Sequence, residues 1–198
     1  MTEYPNWFAT TAINNFATYL AGDIGRHSLR YLQLGAFTGD ASVWLVNNIL
    51  TGGNSRLTDI DTWEGSDEID HESMDFEDVY NSYLYKTSEY ENDGKCYHYR
   101  TTTMNFLLSE LSEKEYAHNK YDFIYIDADH TTAGVLLDAE LSWLLLKSGG
   151  IMAFDDYTWG RHLPPSKTPR PGILLFTERH KAEIDTLVIN DQYWIKKK

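Results

Sequence analysis

The chain is poor in cations. Its 198 residues carry 17 Lys and Arg against 30 Asp and Glu, a formal net charge of -13. Nucleic-acid backbones and anionic membrane surfaces call for a basic footprint, so neither is expected as a partner. The terminal IKKK reads as a solvated tail. There is one cysteine, Cys96. No internal disulfide can form, and a reducing, cytoplasmic setting is expected. Cys96 lies in the strand-like KCYHYR and reads as a small buried hydrophobe rather than a nucleophile. No stretch approaches the roughly 18 apolar residues of a membrane span. The opening MTEYPNWFATTAINNF lacks the basic and apolar regions of a signal peptide. Repeats, low-complexity tracts and linkers are also missing. Hydrophobic residues, in contrast, make up 42% of the chain and aromatics 14%. That is enough to build the core of one globular domain, residues 1–198.

Hydrophobic periodicity alternates along the chain. Phe8, Ala12, Ile13, Phe16 and Leu20 have helical spacing, with Gly22 as a stop. LRYLQL (29–34) reads as a strand and DASVWLVNNIL (40–50) as a helix, with Thr38 or Asp40 as its cap. RLTDID (56–61) is a second strand. Residues 75–90 form a helix with Phe76, Val79, Tyr80, Tyr83 and Leu84 on its apolar face. CYHYR (96–100) is a third strand, MNFLLSEL (104–111) a short helix and YDFIYID (121–127) a fourth strand. TAGVLLDAELSWLLL (132–146) is an amphipathic helix, GIMAFDD (150–156) a fifth strand and residues 171–184 a further helix. TLVIN (186–190) and QYWIK (192–196) pair as a terminal hairpin. This order predicts an α/β fold with a Rossmann-like, doubly wound and mostly parallel sheet.

Two features point to chemistry. The first is YLQLGAFTGDASVWL, a strand, a glycine loop and a helix. Gly35 turns the chain sharply off the strand, and Gly39 permits close approach of a ligand or of helix to sheet. The spacing is neither G-x-G-x-x-G nor a Walker loop, and a plain turn has the same outline. Asp61 ends the second strand, just before Trp63, where a carboxylate accepts from ribose hydroxyls. An adenosine-bearing ligand without a bound pyrophosphate is expected.

The second feature is a pair of apolar runs ending in acids: FIYIDADH, with Asp127, Asp129 and His130, and GGIMAFDDYTW, with Asp155 and Asp156. In doubly wound sheets, ligands collect at the C-terminal ends of the strands. One such aspartate can serve as a helix cap or a turn residue. Several facing one crevice repel each other unless a cation sits among them, and oxygen ligands select Mg²⁺, Mn²⁺ or Ca²⁺. His130, with a side chain that titrates near neutrality, is a candidate base. Asp129 is its rival. The Pro-rich PPSKTPRPG (164–172) follows the fifth strand, where it can cover a site.

YLQLGAFTGDAS, LTDIDTWEGSDE, YDFIYIDADH and LKSGGIMAFDDYTW, in that order, resemble the motifs of class I S-adenosylmethionine-dependent methyltransferases. They are most similar to the metal-dependent O-methyltransferases of the catechol and macrocin (antibiotic-sugar) types. The resemblance spans about residues 28–160, and the closing INDQYWIKK resembles that group's terminal strand pair. It implies seven strands with the last reversed. It implies S-adenosylmethionine over Gly35, Phe37, Thr38 and Gly39, its ribose on Asp61 beside Trp63, its adenine edge near Thr101 to Thr103, and Asp127 at the cofactor side. It implies a divalent cation, Mg²⁺ first among the choices, on Asp127, Asp155 and Asp156. The catechol type has Asn at the last of these positions and the sugar type Asp. His130 stands where the catechol type has its lysine base, and Asp129 where the sugar type keeps an aspartate. Gln33 departs from the acidic residue usual at its position. A substrate lid has to come from residues 1–25 or 64–92.

The expected function is metal-assisted O-methylation of a small molecule or sugar with adjacent hydroxyls. The alternatives are a metal-independent methyltransferase and a non-catalytic domain that binds an adenosine ligand or a partner. Self-association into a homo-oligomer stays open.

Overall fold

Where apolar residues alternate or run together the backbone forms strands, and where they recur at three and four it forms helices. A computed structural model describes residues 4–66, 71, 73–113 and 119–198. Asp67 and Glu68, which close the second motif, lie outside the described residues. The strands are β1 (Arg30–Leu34), β2 (Arg56–Asp61), β3 (Cys96–Arg100), β4 (Tyr121–Ile126), β5 (Leu146–Phe154), β6 (Ile184–Ile189) and β7 (Tyr193–Lys197). The helices are α1 (Ile13–Tyr19), preceded by one π-helical segment, α2 (Asp40–Asn48), α3 (Phe76–Asn92), α4 (Thr103–Ser112), α5 (Thr132–Leu145) and α6 (Arg170–Arg179).

The sheet has seven strands in the order β3-β2-β1-β4-β5-β7-β6. β2 and β3, β1 and β4, and β4 and β5 pair in parallel; β7 alone runs against its neighbours β5 and β6. This is the doubly wound fold with a reversed last strand. Sequence order reverses between β1 and β4, the place where such sheets bind ligands.

Several boundaries differ from the sequence reading. β5 begins four residues early, at Leu146, because the pairing with β4 shifts register between Tyr121 and Phe123. α6 ends at Arg179, short of the apolar period's end. Neither Thr38 nor Asp40 caps α2. Its N-cap is Gly39, at φ 80°, with no side-chain cap. The Thr38 hydroxyl instead donates to Asp40 Oδ2 at 2.9 Å, and Lys86 Nζ holds Asp40 Oδ1 at 2.8 Å. α3 is capped from its side chain: Asp75 accepts from the Glu77 and Asp78 amides, satisfying donors the helix leaves open.

The chain divides into two compact units, Met1–Leu29 with Ala36–Thr101 and Arg30–Gly35 with Thr102–Lys198. In the first, Trp63, Val79, Tyr83 and Ala36 form a buried cluster flanked by Phe37, Phe76, Tyr80 and Leu84. In the second, Phe123 stacks on Trp194 at 5.5 Å, and Phe176 packs on Phe154 and Trp143. Among the described residues, no helix is long and apolar enough to cross a membrane.

The core of the first unit also holds a carboxyl. Asp59 on β2 is fully buried, and its Oδ2 accepts from the Tyr83 hydroxyl at 2.9 Å and from Cys96 Sγ at 3.5 Å. Burial pushes its pKa from the usual range up to about 6. Burial likewise pushes up the Cys96 thiol, which accords with a packing role. A raised carboxyl pKa means that the folded state binds the proton more tightly than the unfolded one. The stability this contributes is lost as pH rises from about 4 through about 6. Asp59→Asn is therefore expected to remove about 1.4 kcal/mol of the stability difference between about pH 5 and about pH 7.5. Urea unfolding of both proteins at the two pH values checks this; an unchanged difference would place the titrating group elsewhere.

Candidate active site

β1 and β4 run side by side, pairing Leu34 with Ile126. The next residue on each strand, Gly35 and Asp127, meets the other chain segment closely. The Asp127 amide donates to Leu34 O at 2.8 Å, and a Cβ on Gly35 would fall 1.7 Å from the Asp127 carbonyl oxygen. Gly35 also has φ 87°, a conformation side chains resist. Only glycine lets the chain turn off β1 here. Gln33, buried on β1, donates from Nε2 to Gly35 O at 2.8 Å and braces the turn. That contact is what stands where an acidic residue was expected.

In the first unit the rest of the glycine loop is held from β2. Asp61 Oδ2 accepts from the Ala36 and Phe37 amides at 2.8 and 3.0 Å, and its Oδ1 accepts from the Trp63 amide at 2.8 Å. A carboxylate offers about four acceptor positions, so three of them already serve the backbone. Trp63 is 1% exposed; its Nε1 donates to Phe37 O at 2.8 Å while its ring lies among Tyr80, Tyr83 and His98. It supports the loop from beneath. Phe37 has φ 45°, and its ring meets Tyr4, Trp7 and His71. Both segments considered as lids thus reach the same ring. Thr38 is buried, and Gly39 approaches α3 so closely that a Cβ would lie 3.0 Å from the Tyr83 ring.

In the second unit the acids gather as the strand ends require. Asp127 follows β4, and the Asp155 amide donates to Ile126 O at 3.0 Å, placing the end of β5 beside it. Asp156 has φ 55°, a left-handed conformation that aspartate tolerates better than most residues. His130 Nε2 lies 3.4 Å from Asp127 Oδ1 and 3.1 Å from Asp156 Oδ2. One ligand atom each from Asp127, His130 and Asp156 fall within 4.8 Å of one another, a spacing that can hold a metal ion. Burial and the Asp155 charge push the Asp127 carboxyl well above the usual range, and the His130 hydrogen bond opposes them. A divalent cation would remove that repulsion, so the donor set fits one.

Asp155 points elsewhere. Its Oδ2 accepts from the Tyr125 hydroxyl and its Oδ1 from Gln192 Nε2 at 3.1 Å. Asp129 serves the entry to α5, its Oδ1 accepting the Thr131 amide at 2.8 Å, while Thr131 caps the helix. Thr103, expected at the adenine edge, donates its hydroxyl to the buried Asp138 at 2.6 Å.

Sequence reasoning passed over Tyr125 and Gln192. Tyr125 reads as one more strand aromatic, and Gln192 sits in a turn; both are buried. Gln192 also accepts from Trp194 Nε1 at 2.9 Å, which fixes its amide toward Asp155. Trp159 lies 5.1 Å from the His130 ring, and its amide donates to Asp156 O at 2.9 Å.

The family model described as a methyltransferase domain matches residues 32–157, from β1 to just past the acids of β5. The chain belongs to this family. It is a class I S-adenosylmethionine-dependent methyltransferase, with the glycine loop and strand-end acids inside the matched span. Solved structures share the fold at low identity. The O-methyltransferase from Bacillus cereus, in complex with SAH, is 15% identical with a TM-score of 0.63, over 99% of this chain and 83% of that one. The O-methyltransferase TomG from Streptomyces achromogenes, in complex with SAM and involved in tomaymycin synthesis, is 16% identical with a TM-score of 0.57, over 85% and 72%. The fibrillarin pre-rRNA processing protein from Methanococcus jannaschii is 18% identical with a TM-score of 0.53, over 87% and 66%. No curated protein matches the chain.

Proposed function

We propose that this methyltransferase acts on oxygen, methylating a small molecule or sugar with adjacent hydroxyls at a divalent metal site. The observation that carries the reading is the grouping of Asp127, His130 and Asp156. The two similar O-methyltransferases, solved with SAH and SAM, support the donor and the acceptor atom.

Asp127 and Asp156 would hold the cation in this reading, and a cation so held would supply Lewis-acid charge that eases loss of a proton from an acceptor hydroxyl. His130 is the base. Its ring lies beside the two carboxylates, so with the cation holding them an imidazole nitrogen would be within reach of a hydroxyl brought to that site. Asp129 has one oxygen on the Thr131 amide, so it is the weaker candidate. Asp155, tied to Tyr125 and Gln192, positions the end of β5 instead of contributing a ligand. The glycine loop, braced by Asp61 and Gln33, receives the methyl donor. The acceptor is neither nucleic acid nor membrane, in keeping with the net charge of -13.

Calorimetric titration of metal-stripped protein tests this. S-adenosylmethionine binds, and Mg²⁺ or Mn²⁺ then gives a separate saturable signal with which turnover of a catechol rises. Binding of the donor with turnover indifferent to metal and chelator would sink the metal-assisted reading and leave a metal-free transferase. His130→Gln should lower turnover while metal still binds. Loss of metal affinity in that variant would make His130 a ligand.

A further inference from the structure

Between β5 and α6 the chain changes sign. From Tyr157 to Thr177 there is no Asp or Glu, while Arg161, His162, Lys167 and Arg170 all fall in that stretch. In a chain of net charge -13 this is a local exception. The segment borders a cleft of about 390 Å³, lined among others by Tyr157, Trp159, Arg161, Leu163, Thr168 and Arg170.

The cleft is built on a fixed loop. Thr132, at the start of α5, donates to Pro165 O at 2.7 Å and to Thr168 O at 2.9 Å. The Tyr157 amide donates to Asp191 O at 2.8 Å, and the Thr158 hydroxyl to Asp191 Oδ1 at 2.6 Å. Arg170 lies over the Tyr157 ring at 5.0 Å, which directs its guanidinium without neutralising it. Among the described residues, neither Arg161 nor Arg170 has a carboxylate partner. Two guanidiniums without carboxylate partners beside aromatic rings match an oxyanion, because the guanidinium fork binds carboxylate or phosphate oxygens in pairs.

The cleft also adjoins the acid cluster. Trp159 is both a wall of the cleft and the ring 5.1 Å from His130. A ring-shaped acceptor could place its hydroxyls at Asp127 and Asp156 and its far side past Trp159 toward the arginines. We infer that the acceptor is a ring-bearing vicinal diol carrying an anionic group, carboxylate or phosphate, which Arg161 and Arg170 bind and which sets substrate choice. This rests on the proposed O-methylation for the identity of the diol, but the anion site stands on the cleft alone.

The test compares three probes on the full chain with Mg²⁺ present: 3,4-dihydroxybenzoate, 3,4-dihydroxyphenyl phosphate and the neutral 3,4-dihydroxybenzamide. Tryptophan fluorescence reads binding, and methyl transfer is assayed in parallel. At least one anionic probe is expected to bind about ten-fold or more tighter than the amide, as charge-assisted pairing predicts. Whichever anion gains shows which group is recognised. Arg161→Gln and Arg170→Gln should each remove most of that gain and leave amide binding within about two-fold. Arg161 is exposed and unpaired, so its variant folds even if Arg170→Gln, which loses the Tyr157 contact, does not. Equal binding of all three probes, or binding of none, overturns the inference. Methylation of all three without anion preference would do so while leaving O-methylation intact. Anion preference without methyl transfer to any probe would support the cleft and count against O-methylation.

Discussion

Asp156→Ala lowers kcat by about a thousand-fold or more, because it removes one of two carboxylates proposed to hold the cation, whose charge stabilisation is worth several kcal/mol. S-adenosylmethionine affinity stays within about three-fold in this expectation, since the donor is assigned to the glycine loop. The backbone at Asp156, at φ 55°, complicates the variant, because alanine resists that conformation. Asp156→Gly removes the same carboxylate without the strain, so both variants should lose activity alike. Recovery in Asp156→Gly would assign the loss to the backbone. Asp156→Asn keeps an oxygen in place and tolerates the left-handed conformation, so it should retain part of the turnover. Steady-state kinetics with saturating Mn²⁺, beside calorimetry for the donor, separate these outcomes. Full turnover in both Asp156→Ala and Asp156→Gly would remove Asp156 from the metal site.

Gly35→Ala is expected to cost at least about 4 kcal/mol, combining a positive-φ penalty with overpacking. The new Cβ would sit 1.7 Å from the Asp127 carbonyl oxygen, where one of two strand ends must move. That carbonyl is backbone, so no rotamer change relieves it. A loss of that size is a large share of the roughly 5–15 kcal/mol that holds a typical domain together. The same shift moves Asp127, so metal and donor binding should fail together in whatever protein still folds. Gly22→Ala is the control. A Cβ there meets nothing within 4 Å, and its stability should change by no more than about 1 kcal/mol. Thermal unfolding of the two variants gives the comparison. Similar melting temperatures would mean that the β1–β4 crossing is looser than its geometry shows.

The anion cleft and the acid cluster bear on one another. Three carboxylates at the ends of β4 and β5 make the second unit repel an anionic acceptor in the absence of a cation. With the proposed cation bound, and with the acid-free stretch from Tyr157 to Thr177 beyond it, the same region would favour one. Binding of the anionic probes should therefore be stronger with Mg²⁺ than without it.

The order of elements was legible in the sequence because helical and strand periods are local. β2 begins and ends where RLTDID does, and Asp75 caps α3 one residue before Phe76. Parallel strands buried on both faces read as apolar runs, so the acids that end them were legible too. Gly35 was marked as a sharp turn, and it turns at φ 87°. What the sequence could not determine was where each side chain points. Asp155 and Asp156 are neighbours, yet Asp155 faces Tyr125 and Gln192 while Asp156 meets His130. That split depends on a left-handed backbone at Asp156 and on a glutamine in a turn between β6 and β7. Asp61 was legible as a strand-end acid, but its three amide bonds to the loop and to Trp63 were not. Trp63 beside it looked like a ligand contact and is core. Periodicity reports which face of an element is buried. Only tertiary packing, which joins residues dozens of positions apart, decides which carboxylates meet a histidine and which are held by a tyrosine.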